Sequence, residues 1–414
     1  MFKKSIWILF LFICPLPSPT TTFASHQHDI LKAAFIRNDD LWIKVGDIEQ
    51  AVTNNENIRY PKWSPDGNWI AYLKKPKEGK PPLFNGSELW LFNLNMNNHF
   101  KIKVNVNENF QWAPNENKIS FLVNKSLYTL NLEPAIPFLT VKTADNIDNF
   151  SWLPNGRGFL VSSKESKQLH ADILLSKITL SPHKPAIRPF FTIPVSENEL
   201  FITTSQFKWS HDQKWISFLL VPTASLSADA NTLCLLSQDG QVFNRMDEML
   251  NEKEWFKWAP SKNLIGYVKG TGREANLQKA VEVIVVPTLG KTLLTPEGYV
   301  DRDLSWKNSH ELFVSRAKEA PQADLNTRPL PSIYKVNLSD GQQRQITFPP
   351  DQEADFAPEF IDHKLIWIRT NKNKASAWIL RGETEVKWIK NVTMASSYYK
   401  RWNWDEVFSL YRGR

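Results

Sequence analysis

The sequence predicts an all-β chain: a β-propeller of four-stranded antiparallel blades, eight by count. Three observations predict it. The stretch RYPKWSPDGNWIAY, residues 59–72, recurs along the chain at a period of 40 to 57 residues. Each copy is followed by two further strand-like runs. The two chain ends hold complementary fractions of one more copy. A period of that length is the signature of a propeller or a solenoid.

The copies are NFQWAPNENKISFL (109–122), NFSWLPNGRGFLVS (149–162), QFKWSHDQKWISFL (206–219), WFKWAPSKNLIGYV (255–268), DLSWKNSHELFVSR (303–316) and the weaker APEFIDHKLIWIRT (357–370). Their anchors are Trp63, Trp112, Trp152, Trp209, Trp258, Trp306 and Phe360. In the best copy Pro65 presets φ at a turn position, and Asp66-Gly67 tolerates the positive φ that tight turns need. Beyond the turn, Trp69 and Ala71 point to one face and Ile70 and Tyr72 to the other. Apolar residues on both faces mean a strand sandwiched between two sheets. A third strand follows in each period (ELWLFNL, SLYTLNL, DILLSKI, TLCLLS, VEVIVV, SIYKVNL, AWILRG), then a shorter fourth (FKIKV, PFLTV, RPFFTI, KTLLT, RQIT). Four antiparallel strands per period make a blade, A to D from the anchor strand outward. The anchor Trp fills the space between neighbouring blades, which accounts for 17 Trp beside only 15 Gly without any ligand. The one helical candidate is FNRMDEMLNEKEW, 243–255.

Before Trp63 lie KAAFIRN, DLWIKVG and EQAVT, which match strands B, C and D with no A. The segment YYKRWNWDEVFSLY, 398–411, can supply the missing A strand. Seven blades result instead if one terminal segment packs elsewhere.

Length and composition fit this reading. The chain has 414 residues, 42% hydrophobic and 22% charged, enough to bury a sizeable core. Residues 1–24 read as an export signal: Lys3 and Lys4 precede the apolar run Ser5 to Cys14, and Thr22-Phe23-Ala24 offers a cleavage site. The rival uses of this segment are a membrane anchor or a lipid on Cys14. Residues 25–30 form a short tail and 31–414 a single propeller domain. No other run is long enough to span a bilayer as a helix. The mature chain keeps Cys234 alone, so it has no internal disulfide, and Cys234 reads as a small buried hydrophobe. Net charge is +7, or +5 without Lys3 and Lys4 (7 − 2), too modest to argue for nucleic acid. Export places the protein in the periplasm, on the cell envelope or outside the cell.

The wording W-S-P-D-G-x-x-I-A-Y of Trp63 to Tyr72 resembles the WD40-like (PD40) repeats of the TolB-type β-propeller. The resemblance covers nearly all of the mature chain, tightly at 63–72 and loosely elsewhere, where Asp-Gly becomes Asn-Glu, Asn-Gly or Asp-Gln. The additional N-terminal α/β domain of that family has no room here, since strands begin near Leu31. The resemblance implies an exported, non-enzymatic binding propeller.

The A–B turns are short. The long connections are B–C (74–87, 163–171, 221–231, 269–281, 315–332) and D–A (143–149, 194–206, 247–254, 348–356), and these emerge on one face. Loops on a rigid scaffold are where binding usually sits. The B–C loops with 369–375 hold 15 Lys/Arg against 6 Asp/Glu. The D–A connections are acidic, with Asp145, Asp301, Asp351 and Glu353 beside five residues that enter strand A: Glu108, Asp148, Glu254, Asp303 and Asp355. Those five predict an acidic channel mouth inside a basic rim, able to hold a divalent cation or an amino group, although loop carboxylates are also ordinary turn formers. No cofactor is predicted beyond that possible cation.

No Gly-x-Ser-x-Gly elbow, phosphate loop or His-Glu-x-x-His is present. His170, His183 and His211 sit in loops or turns of different blades. His26-Gln27-His28 lies by the cleavage site, where a polar tail or adventitious metal binding are the two uses. The expected function is therefore a non-enzymatic binding or scaffold propeller of the bacterial cell envelope, with a protein or polymer partner at its long-loop face. The alternative is a metal-dependent carbohydrate-active enzyme, lyase or hydrolase, at the acidic channel mouth.

Overall fold

A computed structural model describes residues 30–413 apart from 77–85, 134–137, 182–183, 322–323, 325–326, 372 and 400. The predicted export signal, Cys14, His26, His28 and His183 lie outside the described residues, as does most of the first B–C loop.

Eight sheets form, each in the order A-B-C-D. Blade 2 (Ile58–Trp63, Trp69–Lys74, Ser87–Asn93, Asn98–Val106) carries the best copy of the repeat. The A strands of blades 3 to 8 are Phe110–Trp112, Asn149–Trp152, the split pair Phe201–Thr204 and Lys208–Trp209, Phe256–Trp258, Tyr299–Trp306 and Ala354–Ile361. Blade 1 takes its B, C and D strands from Lys32–Arg37, Asp40–Val45 and Ile48–Ala51, and its A strand from Phe408–Leu410, with Phe35 opposite Phe408. The ring is thus closed by the C-terminal strand, and eight blades is the count.

The segment ahead of that strand departs from expectation. Ser397–Tyr398 and Arg401–Trp402 form a separate two-stranded hairpin, followed by the 3-10 turn Trp404–Glu406. The helix expected at 243–255 is also corrected. Phe243–Met249 is the D strand of blade 5, paired with Asn231–Ser237, and only Lys253–Trp255 turns, as a 3-10 helix. Pairing to an open sheet edge satisfies seven residues of backbone that an isolated short helix could not stabilise. Among the described residues no helix is long and apolar enough to cross a membrane.

The core is a set of seams between blades. Trp69, Ala71 and Leu73 pack with Phe110, Ile119 and Phe121 of blade 3. Ile70 and Tyr72, on the other face of the same strand, pack with residues of blades 1 and 8. Cys234 is buried among blade 4 and 5 side chains, and burial pushes its thiol up.

Two hydrogen-bond ladders stitch the seams. Five of the six anchor indoles reach back one blade. Trp112 Nε1 donates to Lys62 O (3.0 Å), Trp152 to Gln111 O (3.2 Å), Trp258 to Lys208 O (3.2 Å), Trp306 to Lys257 O (2.9 Å), and Trp63 to Ser409 O (3.3 Å). Trp209 Nε1 is buried without a protein partner among the described residues. The residue before five of the seven anchors reaches forward instead. Lys62 Nζ donates to Phe110 O (2.7 Å), Gln111 Nε2 to Phe150 O (2.8 Å) and Lys208 Nζ to Phe256 O (2.9 Å); Ser151 Oγ and Ser305 Oγ accept from the backbone N–H of Phe207 (2.8 Å) and Phe360 (3.1 Å).

The Trp-Ser-Pro-Asp-Gly turn works in the same way. Asp66 accepts from Ser64 Oγ and Asn68 N within the turn, and from Asn117 Nδ2 of the next blade's turn at 2.8 Å. Blade 5 repeats this with Asp212 and Asn263 Nδ2 (2.8 Å). Burial opposes ionisation of Asp66, but these donors hold its carboxyl below the usual value. Gly67 sits at φ +68°, and a Cβ there would lie 2.7 Å from the ring of Tyr411, just past the closing strand.

Candidate active site

The five acidic residues meet different fates. Asp355 is fully buried and held by Arg369 through two bonds, Nε to Oδ1 at 2.7 Å and Nη2 to Oδ2 at 2.8 Å. Trp367 Nε1 adds a third at 3.0 Å. Asp301 and Arg316 form the equivalent pair one blade earlier, with both contacts at 2.6 Å. Asp148 pairs with Lys125 at 2.6 Å and accepts from Lys164 N. Glu108 is exposed, and its backbone oxygen accepts from Lys62 Nζ at 3.4 Å. Only Glu254 and Asp303 line a common cavity.

That cavity has a volume of about 260 Å³. Its walls come from the connection that leads from blade 5 into blade 6 (Glu252, Lys253, Glu254, Trp255), from the inner strands of blades 1, 2, 6, 7 and 8, and from the C-terminal turn with Trp402 and Trp404. The lining is mixed in charge rather than purely acidic. Lys257 sits 3.1 Å from Glu254 and 3.0 Å from Glu359. Arg412 also pairs with Glu359, and Lys253 pairs with Asp405 at 2.8 Å. The indoles of Trp402 and Trp404 stack with centroids 5.6 Å apart. Among the described residues no three His, Cys, Asp or Glu side chains come together as a metal-holding set. His170 hydrogen-bonds Glu199 O at 3.1 Å, on another blade.

Backbone irregularity shapes the wall. Tyr60, Asp303 and Ala357, each three residues before an anchor, adopt positive φ at a bulge in strand A. Bulges bend a strand and re-aim its side chains. Here Asp303 is the tie: Oδ1 accepts from Trp255 Nε1 at 2.7 Å and Oδ2 from Ala357 N at 2.8 Å. Burial raises its carboxyl above the ordinary range. It is a buttress for the cavity wall.

The two glutamates of the connection differ sharply. Burial pushes Glu252 up to about 7; Arg401, 3.5 Å away, pulls the other way, while Asp303 and Asp405 add to the rise. The side chain still keeps 26% of its area open. Burial also opposes ionisation of Glu254, but Lys257, Lys208 and Lys253 outweigh it and hold that carboxyl far below the ordinary value. The raised carboxyl therefore keeps its proton to a much higher pH than its neighbour in the cavity. Such a split is how paired acids divide the roles of proton donor and anion. Lys62 is pushed down to about 7 and Lys208 to about 8, in both cases chiefly by burial.

Sequence reasoning picked out Glu254 and missed Glu252, Trp402 and Trp404. The signal for Glu252 was present in Asn251-Glu252-Lys253-Glu254-Trp255: two carboxylates around a lysine, directly before an anchor strand. The two Trp sat in the segment expected to be blade.

No family model matches the chain, and no curated protein matches it. Solved structures do share its fold. Dipeptidyl peptidase 4 of Porphyromonas gingivalis superposes with a TM-score of 0.59 at 9% identity, over 87% of this chain and 58% of the peptidase. A puromycin hydrolase superposes with a TM-score of 0.52 at 9% identity, over 81% of this chain and 54% of the hydrolase. TolB from Acinetobacter baumannii also matches, at 13% identity over 76% of this chain and 63% of TolB, with a TM-score of 0.36. The chain thus spans little more than half the length of the first two. What they share with it is the propeller. Both are enzymes by name, and this overturns the expectation of a non-enzymatic scaffold: in these solved relatives of the fold the propeller is part of a catalytic protein.

Proposed function

We propose that the protein is a carbohydrate-active hydrolase of the cell envelope, with Glu252 as proton donor and Glu254 as the fixed anion. Two glutamates and the indole of Trp402 lining one cavity carry the reading, and the opposite directions of the two carboxyl shifts support it. Glycoside hydrolysis uses two carboxyl groups around an oxocarbenium-like transition state. Protonated Glu252 gives its proton to the glycosidic oxygen as the bond to the anomeric carbon breaks. A carboxylate as acidic as Glu254 is a poor proton acceptor, so its part is to stay negative opposite the positive anomeric carbon. Water then adds to that carbon and returns its proton to Glu252, which restores the starting state. Trp402, half-buried and backed by Trp404, offers a flat apolar face on which a sugar ring stacks.

The remaining finer points belong to the same proposal. The repeat wording supports kinship with TolB-type (PD40) propellers, and the basic and apolar pattern of residues 1–24 supports export. The partner is then an envelope polymer, met as substrate. The test is release of new reducing ends from a panel of neutral and acidic oligosaccharides by purified protein. Glu252→Gln and Glu254→Gln should each lower kcat on the order of 100- to 10,000-fold. No cleavage across the panel, or full activity in Glu252→Gln, would sink the proposal.

A further inference from the structure

The segment between the last D strand and the closing strand, residues 393–407, crosses the ring. It leaves blade 8 at Thr393, whose N–H donates to Ile36 O of blade 1 at 2.8 Å, and it ends in blade 1 at Phe408. Between those points it reaches the connection from blade 5 into blade 6. Arg401 Nε lies 3.5 Å from Glu252, and Asp405 pairs with Lys253 at 2.8 Å. Tyr399 at the hairpin tip lies under the guanidinium of Arg273, 5.6 Å away, in the long B–C loop of blade 6. Blades 1 and 5 are opposite members of an eight-bladed ring. The segment is therefore a bar across the long-loop mouth of the channel.

The bar is packed down. Trp404 and Glu406 are buried. On the blade 2 side Asn403 Nδ2 donates to Tyr60 OH at 3.2 Å. On the side of blades 6 to 8, a crevice between bar and wall, lined by Glu252, Trp255 and Phe356, has a volume of about 10 Å³. That is room for a water and not for a sugar. Blades 3 to 5 are drawn together by their own amides: Gln206 Nε2 donates to Asn109 Oδ1, two blades away, at 2.9 Å.

The other end of the cavity continues. Lys62, Ser409, Leu410 and Arg412 line it, and the same four line a further space of about 300 Å³ at the A–B turns of blades 2 and 3. Trp63 and Trp112 wall that space. Arg412 stands at the junction and keeps 63% of its side chain accessible while paired with Glu359.

We infer that a ligand enters this cavity from the short-turn face, and that the bar makes the cavity blind, so that the glutamate pair meets the end of a linear oligosaccharide and not its middle. A channel open at both mouths lets a polymer thread through and present an internal bond to acids in the wall. Here the bar removes the exit. The cavity of about 260 Å³ below it is smaller than the sites that hold drug-sized ligands, which suits a terminal unit. This reverses the expectation that the long loops are the binding face. Lys253 and Arg273, which seat the bar, lie in two of those long connections.

The chain-end part rests on the hydrolase reading; the route rests on geometry alone. The experiment labels thiols in the full chain carrying Cys14→Ser, whose remaining Cys234 is fully buried. Ala357→Cys places a thiol on the cavity wall. Methyl methanethiosulfonate should modify it, and adding Arg412→Trp, which fills the junction, should slow the reaction on the order of 10- to 100-fold. Arg412→Gln, which removes the charge and leaves the junction open, should slow it less than about twofold. Equal rates with and without the Trp overturn the route. Turnover reads the other half. From a linear polymer that it cleaves, the wild-type chain should release end units from the outset while viscosity holds; an early fall in viscosity overturns the chain-end assignment. Labelling slowed by Arg412→Trp in a chain that cleaves nothing would leave the route standing and remove the hydrolase. Cleavage with labelling rates unmoved by the Trp would do the reverse.

Discussion

Glu252→Gln should stabilise the protein in a way that depends on pH. The carboxyl sits at about 7 in the folded chain against an ordinary 4.5. The unfolded chain therefore loses its proton first as pH rises. Below about pH 4.5 both states hold the proton and the site costs nothing. Between about 4.5 and 7 the folded state is progressively disfavoured, and above 7 the full cost is present. A difference of 7 − 4.5 corresponds to about 3 kcal/mol, reduced toward about 2 by the open quarter of the side chain. Glutamine is neutral at every pH and avoids that cost. For a domain of this size about 2–3 kcal/mol is a Tm shift of roughly 3 °C. The assay is thermal unfolding of both proteins from pH 4 to pH 8. The variant should melt with wild type at pH 4 and roughly 3 °C above it at pH 8, while losing activity. A constant Tm difference across that range would refute the raised carboxyl and the catalytic assignment built on it. Gain of stability with loss of function is the pattern of a residue kept for chemistry.

Other expectations follow from the seams. Trp306→Phe keeps most of the apolar volume and loses the bond to Lys257 O, so it should cost about 1 kcal/mol more than Trp209→Phe, whose indole N–H has no protein partner; equal costs in denaturant unfolding would dismiss the ladder as a source of stability. Gly67→Val meets both a positive φ and the Tyr411 ring, and should cost roughly 2–4 kcal/mol. Its Tm should fall while activity at low temperature is retained, and a loss of activity at unchanged Tm would mean that the turn takes part in the site. Asp355→Ala strands Arg369 in the interior with Glu385 as its remaining carboxylate, at a cost of about 3 kcal/mol; wild-type stability in urea would show the pair to be dispensable.

Much of the fold was legible because a repeat states its rules several times. The alternation of Trp69 to Tyr72 gave a strand buried on both faces, and the structure divides those residues between two seams as the alternation requires. Ring closure was legible from an absence, the missing A strand before Lys32. Where the reading failed, local pattern competed with pairing. Phe243–Met249 has helix-forming residues, yet an unpaired sheet edge claimed it. Strand order also says little about which side chain a buried charge will meet. Glu254 and Asp355 occupy comparable places before their anchors. One faces the cavity and the other is locked to Arg369, because strand A of blade 8 begins six residues ahead of Phe360 while that of blade 6 begins only two ahead of Trp258.

The site arises where the chain departs from its own repeat. The regular positions are used in the scaffold: five anchors reach back a blade, five of their predecessors reach forward, and the turn carboxylates Asp66 and Asp212 tie to the next turn. Lys62 and Lys208 stand in the channel wall, yet both ammonium groups are spent on neighbouring backbone carbonyls. A ring built that way has little left to offer a ligand. What remains is the irregular part. The A strands of blades 2, 7 and 8 are bulged, blade 6 opens on a 3-10 turn, and blade 1 is completed from the far end of the chain by a strand whose lead-in carries Trp402 and Trp404. The departures in blades 6, 7, 8 and 1 meet at one cavity, and the glutamates that differ most in ionisation sit at its wall. The bulges at Asp303 and Ala357, the 3-10 turn before blade 6 and the closing strand thus bring to this wall side chains that the regular repeat would spend on its seams.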